Sequence, residues 1–152
     1  MTAERIASSI GKGLVAGFAG TAVMTASSTL DARLRGRAPS TAPARAMAKI
    51  LGIAAFADDL AQARFNDLAH WGYGTTLGVL RGLLAAIGLR PRTATAAHGA
   101  AVWGSAQVVL PALEITPPSI FWGKEEVALD AVHHAVYAIC AGIAYGLLDG
   151  SA

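Results

Sequence analysis

Four apolar stretches constrain this chain more than any other feature of its sequence. A helix needs about 20 apolar residues to cross about 30 Å of hydrocarbon. The stretches cover about residues 8–30, 68–89, 93–113 and 127–148. A soluble bundle would need a polar outer face on every helix, and the first and third stretches have almost none. The pattern predicts an all-α, polytopic membrane protein with about four transmembrane helices in an antiparallel bundle.

Composition agrees with a membrane class. Charged residues make up 14% of the chain, against about 25% in soluble domains. The length of 152 residues suits a single membrane domain, residues 1–152. A net charge of +2 is too small to indicate a nucleic-acid partner. The predicted partner is the lipid bilayer, with a homo-oligomer or another membrane protein as further possibilities.

The segment at about residues 31–66 differs from the apolar stretches. It is rich in basic residues, namely Arg33, Arg35, Arg37, Arg45 and Lys49. After a loop that contains Ser40, apolar residues recur at helical spacing while basic residues take another face. We predict a short amphipathic helix here, with Ser40 as its cap. It lies either at the lipid headgroups or in a solvated linker, and the sequence leaves both open.

Small residues four positions apart predict how the helices associate. Helices in lipid associate by close backbone contact, which such spacing permits. The predicted packing residues are Gly74, Gly78, Gly82, Gly142 and Gly146. The triple on the second stretch is the strongest of these patterns, so we predict a tight bundle with the second transmembrane helix at its centre.

Carboxylates and histidines gather towards one end of the predicted bundle. Antiparallel helices place alternate ends together, and we call the end next to the basic segment side A and the opposite end side B. Glu126, Asp130 and His134 follow one another at four-residue spacing and share a helix face. Ionisable groups inside a membrane helix are costly, so a functional interpretation is the default. The candidate proton, ion or ligand site comprises Glu126, Asp130, His133, His134, His70 and Gln107.

Three interpretations of this site stay open. Histidine changes charge near neutral pH, so the site can handle protons or small ions, or sense pH. It can instead bind a small ligand or a divalent metal, with His134, Asp130 and His70 as the metal ligands. Alternatively, the buried histidines only fix helix packing in a structural or assembly protein. No other cofactor is predicted, and no enzyme is predicted, because H-E-x-x-H, C-x-x-C and G-x-S-x-G do not occur in the sequence.

Arg81 interrupts the second apolar stretch and needs its own account. By depth it lies within reach of Trp103 and Tyr137. Its guanidinium can extend to side B, stack on an aromatic ring, or meet an anionic ligand. We expect the guanidinium to extend to side B.

The later half of the chain resembles the YagU-like family of small bacterial inner-membrane proteins. The resemblance runs from about Trp71 to the end and rests on these elements: His98 to Gly104, Leu110-Pro111, Ile-Thr-Pro-Pro at 115–118, Glu125-Glu126, and His134 with Val136-Tyr137. It implies a multi-pass protein of the bacterial inner (cytoplasmic) membrane and no settled activity. The basic segment favours side A in the cytoplasm, because short cytoplasmic loops carry an excess of Lys and Arg.

Overall fold

The computed structural model describes residues 2–38 and 40–150. Five α-helices run through these residues, and we number them in chain order: α1 (Ala3–Leu34), α2 (Ala42–Ile50), α3 (Asp59–Ala86), α4 (Pro91–Ala112) and α5 (Lys124–Asp149). A short 3-10 turn, Ser119–Phe121, precedes α5. No strand occurs in the described residues, so the all-α class is confirmed there.

The four apolar stretches correspond to α1, α3, α4 and α5, and the amphipathic segment corresponds to α2. The helices are mostly longer than the stretches, because polar caps rather than hydropathy decide where a helix begins. α3 begins at Asp59 because the side chain of Asp58 accepts the Ala61 N–H at 2.7 Å. The cap residue of α2 is Thr41, while Ser40 Oγ accepts the Ala42 N–H at 3.3 Å.

Two of the helices, α1 and α5, are long and apolar enough to cross a membrane. α3 and α4 have sufficient length but lower hydropathy, because Arg81 interrupts α3 and small or polar residues dilute α4. The observed helices thus provide two candidate spans by this measure, where the sequence stretches predicted about four.

A glycine seam joins α1 to α3. A Cβ added at Gly13 would lie 2.5 Å from the backbone oxygen of Gly78, and a Cβ at Gly17 or Gly78 would collide with the facing backbone. A Cβ at Gly82 would strike the backbone oxygen of Ser9. Since only hydrogen fits at these positions, the two helices approach as close as their backbones allow.

The remaining predicted packing glycines also lie at helix contacts or in the interior. A Cβ at Gly74 would collide with the side chain of Thr21 on α1, and one at Gly142 with the side chain of Thr95 on α4. Gly146 is buried. Small residues therefore lie at the contact between α1 and α3 and at the contact between α4 and α5.

The second transmembrane helix, predicted to be central, is α3, which contacts α1, α2, α4 and α5. α1 makes its most extensive contacts with α3 and α5, while α4 packs mainly on α5. α1 packs against two helices because it has glycine on two faces. Gly13 and Gly17 meet α3, whereas Gly20 lies against the backbone oxygen of Tyr137 on α5.

Ion pairs at the two ends show that α1 and α5 are antiparallel. At side B, Lys12 Nζ lies 2.8 Å from Asp149 Oδ1, which joins the first part of α1 to the end of α5. At side A, Arg35 Nη2 lies 2.6 Å from Glu126 Oε1, which joins the end of α1 to the start of α5. The gathering of charged groups predicted for side A includes this second pair.

The interior of the bundle is small or polar, and its exterior is apolar. The largest fully buried side chains are Arg81, Tyr137, Tyr145, His98 and Thr21. Large aliphatic and aromatic residues lie exposed on the two most apolar helices, among them Leu14, Val15, Phe18, Ile139, Ile143 and Leu147. In the 18-residue apolar segments that make α1 and α5 candidate membrane spans, only 33% of α1 and 22% of α5 are buried. A water-soluble bundle buries such residues instead.

The glycine seam predicts that Gly78→Ala destabilises the protein by roughly 1–3 kcal/mol, because the added methyl group overpacks a backbone contact. Gly72→Ala, on the same helix, is the matched control, since a Cβ there would meet nothing within 4 Å. Thermal unfolding of both variants in detergent, followed by circular dichroism, measures the difference. Equal Tm values for the two variants would contradict the close backbone contact between α1 and α3 at Gly78.

Candidate functional site

A cluster of polar side chains lies between α4 and α5, and we call it the Asp130 cluster. Asp130 Oδ2 accepts hydrogen bonds from Trp103 Nε1 at 2.8 Å and from Gln107 Nε2 at 3.0 Å. His134 lies one turn further along α5, with Nδ1 at 3.5 Å from Asp130 Oδ1. Trp103 and Gln107 are four residues apart on α4, as Asp130 and His134 are on α5, so each pair presents one helix face to the other.

The hydrogen bonding of His134 determines which ring nitrogen carries the proton. Nδ1 lies 2.8 Å from the backbone oxygen of Asp130. A carbonyl oxygen only accepts, so Nδ1 donates and Nε2 is the nitrogen that accepts a proton in the neutral ring. The side chain of His134 is 16% exposed, so the cluster keeps a route to its surroundings.

His133 faces the opposite direction, towards α1. Its Nδ1 lies 3.0 Å from Ser27 Oγ, and its buried Nε2 lies 3.7 Å from Asp31 Oδ2. Asp31 in turn accepts a hydrogen bond from Arg37 Nη2 at 2.5 Å. This group links the side A end of α1 to α5.

Glu126 belongs to the ion pairs of side A rather than to the Asp130 cluster. Its carboxylate lies 2.6 Å from Arg35 Nη2 and 3.8 Å from Arg37 Nη1. A glutamate side chain is long enough to reach the loop that follows α1, and that loop carries the guanidinium groups. Glu126 thus connects α5 to the basic segment.

His70 lies between α3 and α1. Its Nε2 is 2.8 Å from Thr25 Oγ, and the same hydroxyl is 2.7 Å from the backbone oxygen of Thr21. The single hydroxyl proton of Thr25 goes to that carbonyl oxygen, so Nε2 of His70 donates to Thr25. This arrangement ties two helices together and leaves the imidazole with a donor role.

The six predicted site residues therefore lie in three places. Asp130, His134 and Gln107 come together, His133 and Glu126 face α1 and its following loop, and His70 lies between α1 and α3. Successive residues of a helix point about 100° apart. That is why the adjacent histidines of α5 meet different neighbouring helices.

The metal interpretation finds no assembled ligand set. In residues 2–38 and 40–150, no three side chains of His, Cys, Asp or Glu are placed to hold one metal ion. His134 and Asp130 lie together, but His70 is bonded to Thr25. The predicted trio is therefore not brought together.

The sequence interpretation missed the partners of the polar residues. Trp103, Ser27 and Thr25 make the hydrogen bonds described above. The available signal for Trp103 was its position four residues before Gln107, on one helix face. The hydroxyl residues carried no comparable signal, because their hydrogen bonds join different helices.

Arg81 does not extend to side B, so that prediction is wrong. It is 1% exposed and its guanidinium carbon lies 4.5 Å from the centre of the Tyr145 ring. Stacking on an aromatic ring was the second alternative, although the ring belongs to Tyr145 rather than to Trp103 or Tyr137. The side chain is held inside because the glycine seam brings α1 across the adjacent Gly82.

Ion pairs outside the apolar stretches shift the pKa values of their members. The hydrogen bond from Lys49 Nζ to Glu114, at 2.9 Å, lowers the pKa of the Glu114 carboxyl group. The hydrogen bond to Asp31 raises the pKa of the Arg37 guanidinium. Glu114 lies just after α4, so its pair with Lys49 ties α2 to the side A end of the bundle.

An open groove of about 1110 Å³ runs between α4 and α5. We call it the α4–α5 groove. Trp103 and His134 line it at the end near the Asp130 cluster, and Arg90 and Arg92 line the opposite end at side B. Between these ends its walls are mostly small and apolar, so the Asp130 cluster meets an apolar channel that opens to the outside.

Comparison with family models, with curated protein sequences and with solved structures finds no match to this chain. The arrangement of side chains is therefore the basis for the function proposed below.

Asp130→Ala is expected to destabilise the protein by about 1–3 kcal/mol, because it leaves the Trp103 indole and the Gln107 amide without their acceptor. Glu125→Ala is the control on the same helix, since its side chain is 77% exposed and surface pairs contribute little. Thermal unfolding measures stability, and the indole ¹⁵N–¹H signal of Trp103 reports the lost hydrogen bond. An unchanged Trp103 signal in Asp130→Ala would contradict the contact.

Lys49→Gln is expected to raise the pKa of Glu114 towards that of an unpaired glutamate. Since the folded-state pKa is lowered, the pair stabilises the protein above the pKa of glutamate in the unfolded chain, and this contribution is lost as pH falls through the lowered value. A carboxyl ¹³C NMR titration of both proteins measures the shift. An equal Glu114 pKa in the wild-type protein and in Lys49→Gln would show that the Lys49–Glu114 pair does not form in solution.

Proposed function

We propose that this chain is a small multi-pass membrane protein in which α1, α3, α4 and α5 cross the bilayer. The supporting observation is the distribution of side chains, with Arg81, His98 and Tyr145 inside and large apolar residues outside. Lipid tails are as apolar as leucine, so an apolar exterior is stable in them. Polar residues of α3 and α4 then face the interior, which explains the lower hydropathy of these two helices.

The proposed location is the bacterial inner membrane, with side A in the cytoplasm. It rests on the resemblance of the later half of the chain to the YagU-like family and on the basic residues of side A. α2 fits the headgroup region, because Ile50 and Leu51 are exposed at its end while Arg45 and Lys49 provide positive charge.

We propose that the Asp130–His134 pair binds a proton, and that the protein handles protons or senses pH through it. The observation that carries this proposal is the position of His134, whose ring lines the α4–α5 groove while Nδ1 is held by the backbone of Asp130. Nε2 then accepts the proton, and Asp130 compensates the new charge. Two hydrogen-bond donors, Trp103 and Gln107, hold the carboxylate in place.

A structural role is the second candidate, and it is favoured for His70 and His133. Each of these imidazoles contacts a hydroxyl group of α1, so each fixes the position of a neighbouring helix against α1. Interhelical hydrogen bonds of this kind contribute about 0.6 kcal/mol on average in membrane proteins. A homo-oligomer or a membrane-protein partner is compatible with this role.

A titration of the histidine rings tests proton binding directly. In ¹⁵N-histidine-labelled protein in lipid nanodiscs, we expect the ring signals of His134 to titrate between about pH 5 and 8. The His134→Gln variant assigns these signals, because it removes only the His134 ring. His70→Gln is the control and is expected to leave the His134 titration unchanged.

The outcome separates the two candidates. A His134 ring that stays neutral over this range would overturn proton binding and leave the structural role. Substitution of any of the three histidines would then change only the Tm, by an amount that does not depend on pH.

A further inference from the structure

We propose that the α4–α5 groove binds an anionic phospholipid, with one acyl chain in the groove and the phosphate at Arg90 and Arg92. This proposal rests on the membrane location proposed above and is independent of proton binding at His134. It concerns a specific lipid site rather than the general solvation of the bundle by lipid.

The shape of the groove suits an acyl chain. Small residues line its middle, among them Gly99, Ala100, Ala135, Ala138 and Gly142. They leave a trough between two helices that larger side chains would fill. The isoleucines at 139 and 143 add an apolar wall and are themselves more than half exposed. A flexible hydrocarbon chain has the apolar character that this trough accepts.

The arginines of the groove lie at one end only. Arg90 and Arg92 line its side B mouth, and both are exposed. Neither forms an ion pair with a carboxylate of the described residues, and the nearby Asp149 is already paired with Lys12. Two guanidinium groups at one mouth of the groove match the charge of a phosphate group, which arginine binds through paired N–H donors.

The length of the groove matches one leaflet. Eleven residues of α4 separate Arg92 from Trp103, which corresponds to about 16 Å along the helix. One leaflet contributes about 15 Å, half of the hydrocarbon thickness of about 30 Å. A phosphate at the guanidinium groups therefore places the end of the acyl chain near Trp103.

Charge favours a lipid over a second copy of the chain in this groove. Two copies related by a two-fold axis along the membrane normal bring residues of the same depth together. Four guanidinium groups would then face one another at side B, and none of the ion pairs of the described residues involves Arg90 or Arg92. An anionic headgroup removes the repulsion that a second copy would create.

Quenching of Trp103 tests the proposal. The variant Trp71→Phe/Trp122→Phe retains Trp103 as its single tryptophan and is reconstituted into phosphatidylcholine vesicles that contain lipids with brominated acyl chains. Brominated phosphatidylglycerol is expected to reach half-maximal quenching at a roughly tenfold lower mole fraction than brominated phosphatidylcholine, the order expected for two guanidinium groups. Arg90→Gln/Arg92→Gln in the same background is expected to abolish this preference.

A control variant shows whether the lipid preference depends on Arg90 and Arg92 in particular. Arg45→Gln/Arg64→Gln removes two exposed guanidinium groups of α2 and α3 and is expected to keep the preference. Equal quenching by both lipids, or a preference that survives in Arg90→Gln/Arg92→Gln, would overturn the lipid site. Quenching that increases as the protein is diluted in lipid would assign the groove to a second copy. Protein that does not float with the vesicles would overturn the membrane location itself.

Discussion

The backbone contact between α1 and α3 is the constraint on which the rest of the structure depends. Gly13 and Gly17 meet Gly78 with no space for a Cβ on either side. At this separation His70 reaches Thr25, and the Arg81 side chain stays enclosed. Another face of α1 packs against α5. Since tightly packed backbones allow little sliding, the seam determines the depth at which polar groups of α3 meet those of α1.

The polar interior fits the membrane environment proposed for this bundle. In lipid there is no hydrophobic drive to bury leucine, so small residues and hydrogen bonds bring the helices together. His98, with Nε2 3.1 Å from the Leu77 carbonyl oxygen, is an example of such a hydrogen bond, while Arg81 stacks on the ring of Tyr145. A charged group in this setting is expensive and needs compensation. The aromatic face provides part of it for Arg81.

Adjacent histidines on α5 show how one segment can serve two purposes. His133 faces α1, where Ser27 and Asp31 hold it inside the packing of the bundle. His134 faces α4 and lines the α4–α5 groove, where its Nε2 is left for a proton. The structural and the proton-binding hypotheses therefore apply to different imidazoles. The lipid proposed for the same groove would exclude water from the Asp130 cluster and strengthen the electrostatic coupling within it.

The sequence by itself determined the parts of this protein that depend on a single helix. Apolar length and periodicity predicted five helical segments, glycine spacing predicted packing positions, and the four-residue interval predicted that Asp130 and His134 share a face. Tertiary structure alone decided that α1 packs between α3 and α5, that Trp103 holds Asp130, and that Arg81 lies on Tyr145. Helical periodicity defines directions within one helix. The neighbour that each direction meets depends on how all the helices rotate and pack, and no local pattern contains that information.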